Sequence, residues 1–154
     1  MAKPVPIPSV VVPPAPSGGG SAYSYAKLRA LWIEAGGDPN LASTMAAVAL
    51  AESGGKVGAV NDNPKTKDYS VGLWQINYYG NLRQARTQRY GSPETLRADP
   101  LANARAAVSL AGQGGSGLGN WTTWKSGAAA ARTPKGQPIL LPVAGGGVRL
   151  EIPL

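Results

Sequence analysis

The chain contains no histidine and no cysteine among its 154 residues. Those two absences exclude Ser-His-Asp and Cys-His hydrolases, and with them zinc sites built from imidazole or thiolate. Catalysis, if there is any, must run on carboxylates, hydroxyls, lysine, arginine or tyrosine. No disulfide can form, so the redox compartment is not readable. Phenylalanine is also missing, so the four Trp and six Tyr must fill aromatic core positions as well as any surface role. No Pro-free apolar run reaches signal-peptide or membrane-span length, and neither a signal peptide nor a spanning helix is expected. Acidic residues are scarce, 8 against 15 Lys and Arg, for a net charge of +7. A basic surface suits polyanions in general: nucleic acid, anionic lipid or an acidic cell-wall polymer. Arg83, Arg86, Arg89 and Arg97 are the densest basic group, read either as a solvated helix face or as a binding patch.

What is abundant is punctuation. Six prolines fall in the first sixteen positions, followed by Gly-rich sequence, so residues 1–22 are expected to be an extended arm or linker. Folded structure is expected over 23–132. Ser24 caps a helix whose apolar face is Leu28, Leu31, Trp32 and Ala35, and Asp38-Pro39 opens a second helix running to Ser53. Residues 56–70 are rich in turn formers and predict a loop or short hairpin; 71–77 fits a strand or a buried turn. Short helices follow from Leu82, Pro93 and Pro100, and Trp121–Trp124 leads into an Ala-rich helix ending near Arg132. After Thr133 the tail, 133–154, turns β-prone: Ile139–Val143 and Val148–Leu154 flank three glycines and predict a hairpin that leans on the domain or on a partner.

The residue that stands out is Glu52. Met45, Val48, Ala49 and Glu52 share one helical face, so a carboxylate lies on the apolar stripe just before a Gly54-Gly55 stop. Burial and the negative end of the helix dipole both disfavour its ionised form. A carboxyl that stays protonated near neutral pH suits a general acid, and with carboxylates as the available chemistry glycoside cleavage leads. Asp68 is the candidate for a second carboxylate and Asp62 its competitor, each set against an ordinary turn-forming role. Gln75 and Asn77 are candidates to hydrogen-bond sugar hydroxyls or to stabilise a turn. Tyr79 and Trp124 are expected in the cleft, stacking on pyranose rings.

AESGG, then a polar loop, then DYSVGLWQIN resembles the lysozyme-like superfamily, in particular soluble lytic transglycosylases and phage lysozyme-like domains. DPLANARAAVSLA and NWTTWKSG resemble the helix behind that family's site and its late aromatic segment. The resemblance covers roughly 23–132. It implies a mainly α (α+β lysozyme-like) single domain in which Glu52, closing its helix beside Ser53, is the acid, and in which Gly72–Asn77 lines the sugar cleft. It further implies cleavage of the β-1,4 bond between N-acetylmuramic acid and N-acetylglucosamine in peptidoglycan, with no metal and no cofactor. Transglycosylases use the Glu alone; lysozymes of the animal types add an Asp, a part open to Asp68. The two arms suggest a bacteriophage particle protein, in the virion tail or at the host wall, meeting other virion proteins through the N-terminal arm and the C-terminal tail. The alternatives are a non-catalytic particle protein on the same fold and, with no recognition motif to support it, a nucleic-acid-binding protein.

Overall fold

A computed structural model describes residues 22–154; the Pro-rich arm expected over 1–22 lies almost wholly outside them. The centre is α2 (Ala42–Ser53), which packs most extensively against α1 (Tyr25–Glu34). From Ala42 to Ala49 every residue of α2 is buried, so this helix is enclosed all round rather than striped. Its small side chains, five alanines among them, let neighbours approach closely from several directions. Both caps expected for the first two helices form. Ser24 accepts from Lys27 N, and Asp38 accepts from Asn40 N ahead of a 3-10 turn at Pro39–Leu41 that delivers the chain into α2.

Helix α2 ends at Gly54 in the left-handed conformation (φ 64°), with Gly55 also at positive φ. A Cβ on Gly55 would strike the carbonyl of Tyr23, whose N–H donates to Gly55 O, so the start of the domain is sewn to the end of α2. Next comes an antiparallel sheet of β1 (Val60–Asn63), β2 (Asp68–Val71) and β3 (Ile76–Asn77), with Asn63 opposite Asp68 and Ser70 opposite Asn77. The segment 71–77 is thus both strand and buried turn: β2 ends at Val71, the chain turns through 72–75, and β3 follows.

Helices α3 (Leu82–Tyr90), α4 (Pro93–Ala98) and α5 (Pro100–Ala111) complete the wall, with Ser92 and Asp99 as the caps before each proline. Buried Asn103 on α5 ties the sheet turn down: its Oδ1 accepts from Trp74 N, and its Nδ2 donates to Val71 O and Leu96 O. A Cβ on Gly72 (φ 78°) would collide with that amide. The small Ala-rich helix expected to end near Arg132 does not form as an α-helix. Only α6 (Thr122–Lys125) is α-helical, and a turn and a 3-10 segment at Ala130–Arg132 follow, with Gly127 at positive φ breaking the run.

The tail forms the expected hairpin, β4 (Ile139–Pro142) against β5 (Val148–Glu151), and it leans on the domain through β4. Ile139 is buried, Leu140 N donates to Thr44 Oγ1 of α2, and Leu140 O accepts the Trp124 indole N–H. Among the described residues no helix is long and apolar enough to cross a membrane.

Candidate active site

Glu52 sits in the last turn of α2, where the helix emerges from the core beside its glycine cap. From the opposite side α6 brings Thr123, whose Oγ1 donates to Glu52 Oε2 at 2.5 Å. The small hairpin brings Asp68, at the start of β2. Burial raises the Glu52 pKa above the ordinary glutamate value; hydrogen bonds from the Thr123 side chain and backbone pull it back, and the negative charge of Asp68 raises it further. The carboxyl is therefore held half-buried, oriented through one oxygen, and inclined to keep its proton.

Asp68 is part-exposed and accepts from Thr66 Oγ1 at 2.6 Å. Lys67 beside it adopts a left-handed conformation (φ 58°) that turns the chain into β2. The folding of the polar loop sets Asp68 where its charge acts on Glu52.

The other expected site residues have their polar groups engaged by the scaffold. Ser53 Oγ donates to Ala49 O and accepts from Gly55 N, closing the helix end. Gln75, at φ 49°, donates its amide to Ala59 O and Gly72 O, which holds the turn to β1. Asn77 Oδ1 accepts from Tyr69 N and Tyr79 N, and its Nδ2 donates to Lys67 O. For both amides the turn-stabilising alternative describes what these groups do. Trp124 is a correction: it is 7% exposed, its N–H is used by Leu140 O, and its ring is core. Trp74, Tyr78 and Trp121 are buried too, with Trp74 Nε1 bonded to Met45 O and Trp121 Nε1 to Trp74 O. Tyr79, 36% exposed, keeps its ring in reach of solvent beside the sheet.

Thr123 was missed by the sequence reading. Its only signal was its place in the NWTTWKSG stretch, between two tryptophans that both anchor to distant carbonyls. The basic group is likewise redistributed. Arg86 donates to Asn77 O and Arg97 to Gly58 O, while Arg83 lies over the Tyr69 ring and Arg89 over the Tyr90 ring. Burial lowers the pKa of Arg86, as expected of a guanidinium used to brace a loop. Among the described residues no cluster of acidic side chains is arranged to hold a metal ion.

A family model described as "Lysozyme like domain" matches residues 29–123, more than half of the chain. No curated protein and no solved structure gives a significant match. The matched span runs from α1 to Thr123 and so encloses Glu52, Asp68 and the residue that bonds Glu52, whereas the C-terminal hairpin falls beyond it. The chain belongs to the lysozyme-like domain family, whose members are generally peptidoglycan-cleaving glycosidases or lytic transglycosylases.

Proposed function

We propose that this protein cleaves the β-1,4 bond between N-acetylmuramic acid and N-acetylglucosamine, with Glu52 as the general acid. The observation that carries the reading is the half-buried Glu52 carboxyl at the end of α2, its pKa raised by burial and its orientation fixed by Thr123. Protonated Glu52 gives its proton to the glycosidic oxygen as the C–O bond breaks, and positive charge develops at the anomeric carbon. The resulting Glu52 carboxylate then takes a proton back, either from water that attacks the anomeric carbon or from the sugar's own hydroxyl as an anhydro ring closes. Where water attacks, Asp68 supplies the second negative charge that stabilises the cationic centre; where the ring closes, the substrate itself does so. Tyr79 offers its exposed ring as a stacking surface for a pyranose. Ser53, Gln75 and Asn77 contribute by fixing the backbone around the site. No cofactor is required for this sequence of steps.

The segments on either side of the family match, the Pro-rich arm and the C-terminal hairpin, support a role as a bacteriophage particle component that delivers the domain to the host wall. The experiment is digestion of purified peptidoglycan, with products read by mass spectrometry. Muropeptides ending at N-acetylmuramic acid, reducing or anhydro, are expected; glycan left uncut by correctly folded protein would favour a non-catalytic particle protein instead.

A further inference from the structure

We propose that the outer edge of β5 pairs with β5 of a second copy of this chain, antiparallel and two-fold about Leu150. Leu140 stands opposite Leu150 in the hairpin. Leu140 N donates to Thr44 and Leu140 O accepts from Trp124, so both groups point away from β5. Residues directly opposite in an antiparallel pair share this sense. The N–H and C=O of Leu150 therefore point to the outer edge, as do those of Val148 and Ile152 two residues to either side. The alternate residues point inward: Gly147 O accepts from Val143 N, and Pro153 O accepts from Gly136 N.

Among the described residues no strand covers that edge, because this sheet consists of β4 and β5 alone. Exposed edges are ordinarily blocked by lysine, proline, a bulge or a covering segment. Here the outward positions carry apolar side chains: Leu150 is 62% exposed, and Val148 and Ile152 are exposed as well.

The sequence of the edge makes a second copy its fitting occupant. With Leu150 opposite the same residue of the second copy, Val148 meets Ile152 and Arg149 meets Glu151, each pairing occurring twice. Arg149 and Glu151 already lie on one face at 3.3 Å from each other, so the pairing builds a four-charge cluster of alternating sign. Two-fold registers centred one residue away, on Arg149 or on Glu151, set like charges directly opposite. The hairpin lies outside the matched family span, so this inference stands whether or not the domain cleaves glycan.

The test is sedimentation equilibrium of the full chain over a wide concentration range, with amide exchange followed at Leu150. Wild type is expected to show a monomer–dimer equilibrium, with Leu150 protected in the dimer. Arg149→Glu should weaken it roughly tenfold, since both cross-strand charge pairs become repulsive, and the double exchange R149E/E151R should restore it. Both positions are exposed, and circular dichroism checks that the fold is retained. A monomer at every concentration would overturn the proposal, as would a dimer indifferent to Arg149→Glu. A monomer whose Leu150 amide is protected at every dilution would overturn it too, giving the edge to another segment of the same chain.

Discussion

Thr123 Oγ1 donates to Glu52 Oε2 at 2.5 Å across 71 residues of sequence. This bond ties the last turn of α2 to the last residue of the matched span and holds the Glu52 carboxyl through Oε2. Thr123 is itself held by its neighbours. Trp121 is fastened to Trp74 O in the core, and Trp124 to Leu140 O in the C-terminal hairpin. The hairpin thus helps to locate the hydroxyl that orients the Glu52 carboxyl.

Removing that hydroxyl should change the pH dependence of activity in a defined direction. The Thr123 bonds favour the ionised carboxylate, so Thr123→Val should raise the Glu52 pKa further and move the basic limb of the rate profile to higher pH. The loss of orientation should at the same time lower the maximal rate roughly tenfold. Thr123→Ser should restore both, which a purely packing role for Thr123 does not require. The check is initial rate against pH on solubilised glycan strands.

Asp68→Asn should move the same limb the other way. Asp68 acts on Glu52 as a nearby negative charge, and without it Glu52 loses its proton at lower pH. Mass spectrometry of the products separates its further role. If water attacks with the help of Asp68, reducing-end products should fall by about 10²-fold or more. If the sugar closes its own ring, anhydro products should persist.

Stability should depend on pH through Glu52 with a definite sign. Its folded pKa lies above its unfolded one, so the native state holds the proton more tightly. Stability from this group is fully present below the unfolded value of about 4.3 and is lost as pH rises through the folded pKa. Glu52→Gln should therefore raise Tm at neutral pH and converge with wild type near pH 4, read by thermal melts at both values.

Asn103→Ala should destabilise the domain by about 3 kcal/mol, because it leaves the buried Trp74 N–H without its partner and removes the amide's bonds to Val71 O and Leu96 O. Denaturant melts measure it. Asn77→Ala should likewise appear as lost stability, on the order of 2 kcal/mol, with KM changed little, since its side chain serves three backbone groups.

The sequence revealed what local rules govern. The Gly54 cap, the Asp38-Pro39 start, the caps at Ser92 and Asp99, and the tail hairpin all follow from residue type and short-range period. Glu52 was legible because a carboxylate on an apolar helix face stands out. Thr123 was not, because a threonine beside a tryptophan carries no sign of a bond formed 71 residues away. Trp124 was misplaced in the cleft for the same reason: its N–H acceptor is a carbonyl of the hairpin, and only the tertiary fold supplies it. Gln75 and Asn77 have two roles that composition does not separate; that their amides bond backbone groups around the tight turn is visible only in the tertiary fold.

The most direct measurement is the rate of peptidoglycan cleavage by wild type and by Glu52→Gln at matched fold content. Wild type should release muropeptides, and Glu52→Gln, equally folded, should be slower by about 10²- to 10⁴-fold, the contribution of a positioned general acid. Equal rates from the two proteins would contradict it and remove Glu52 from the chemistry.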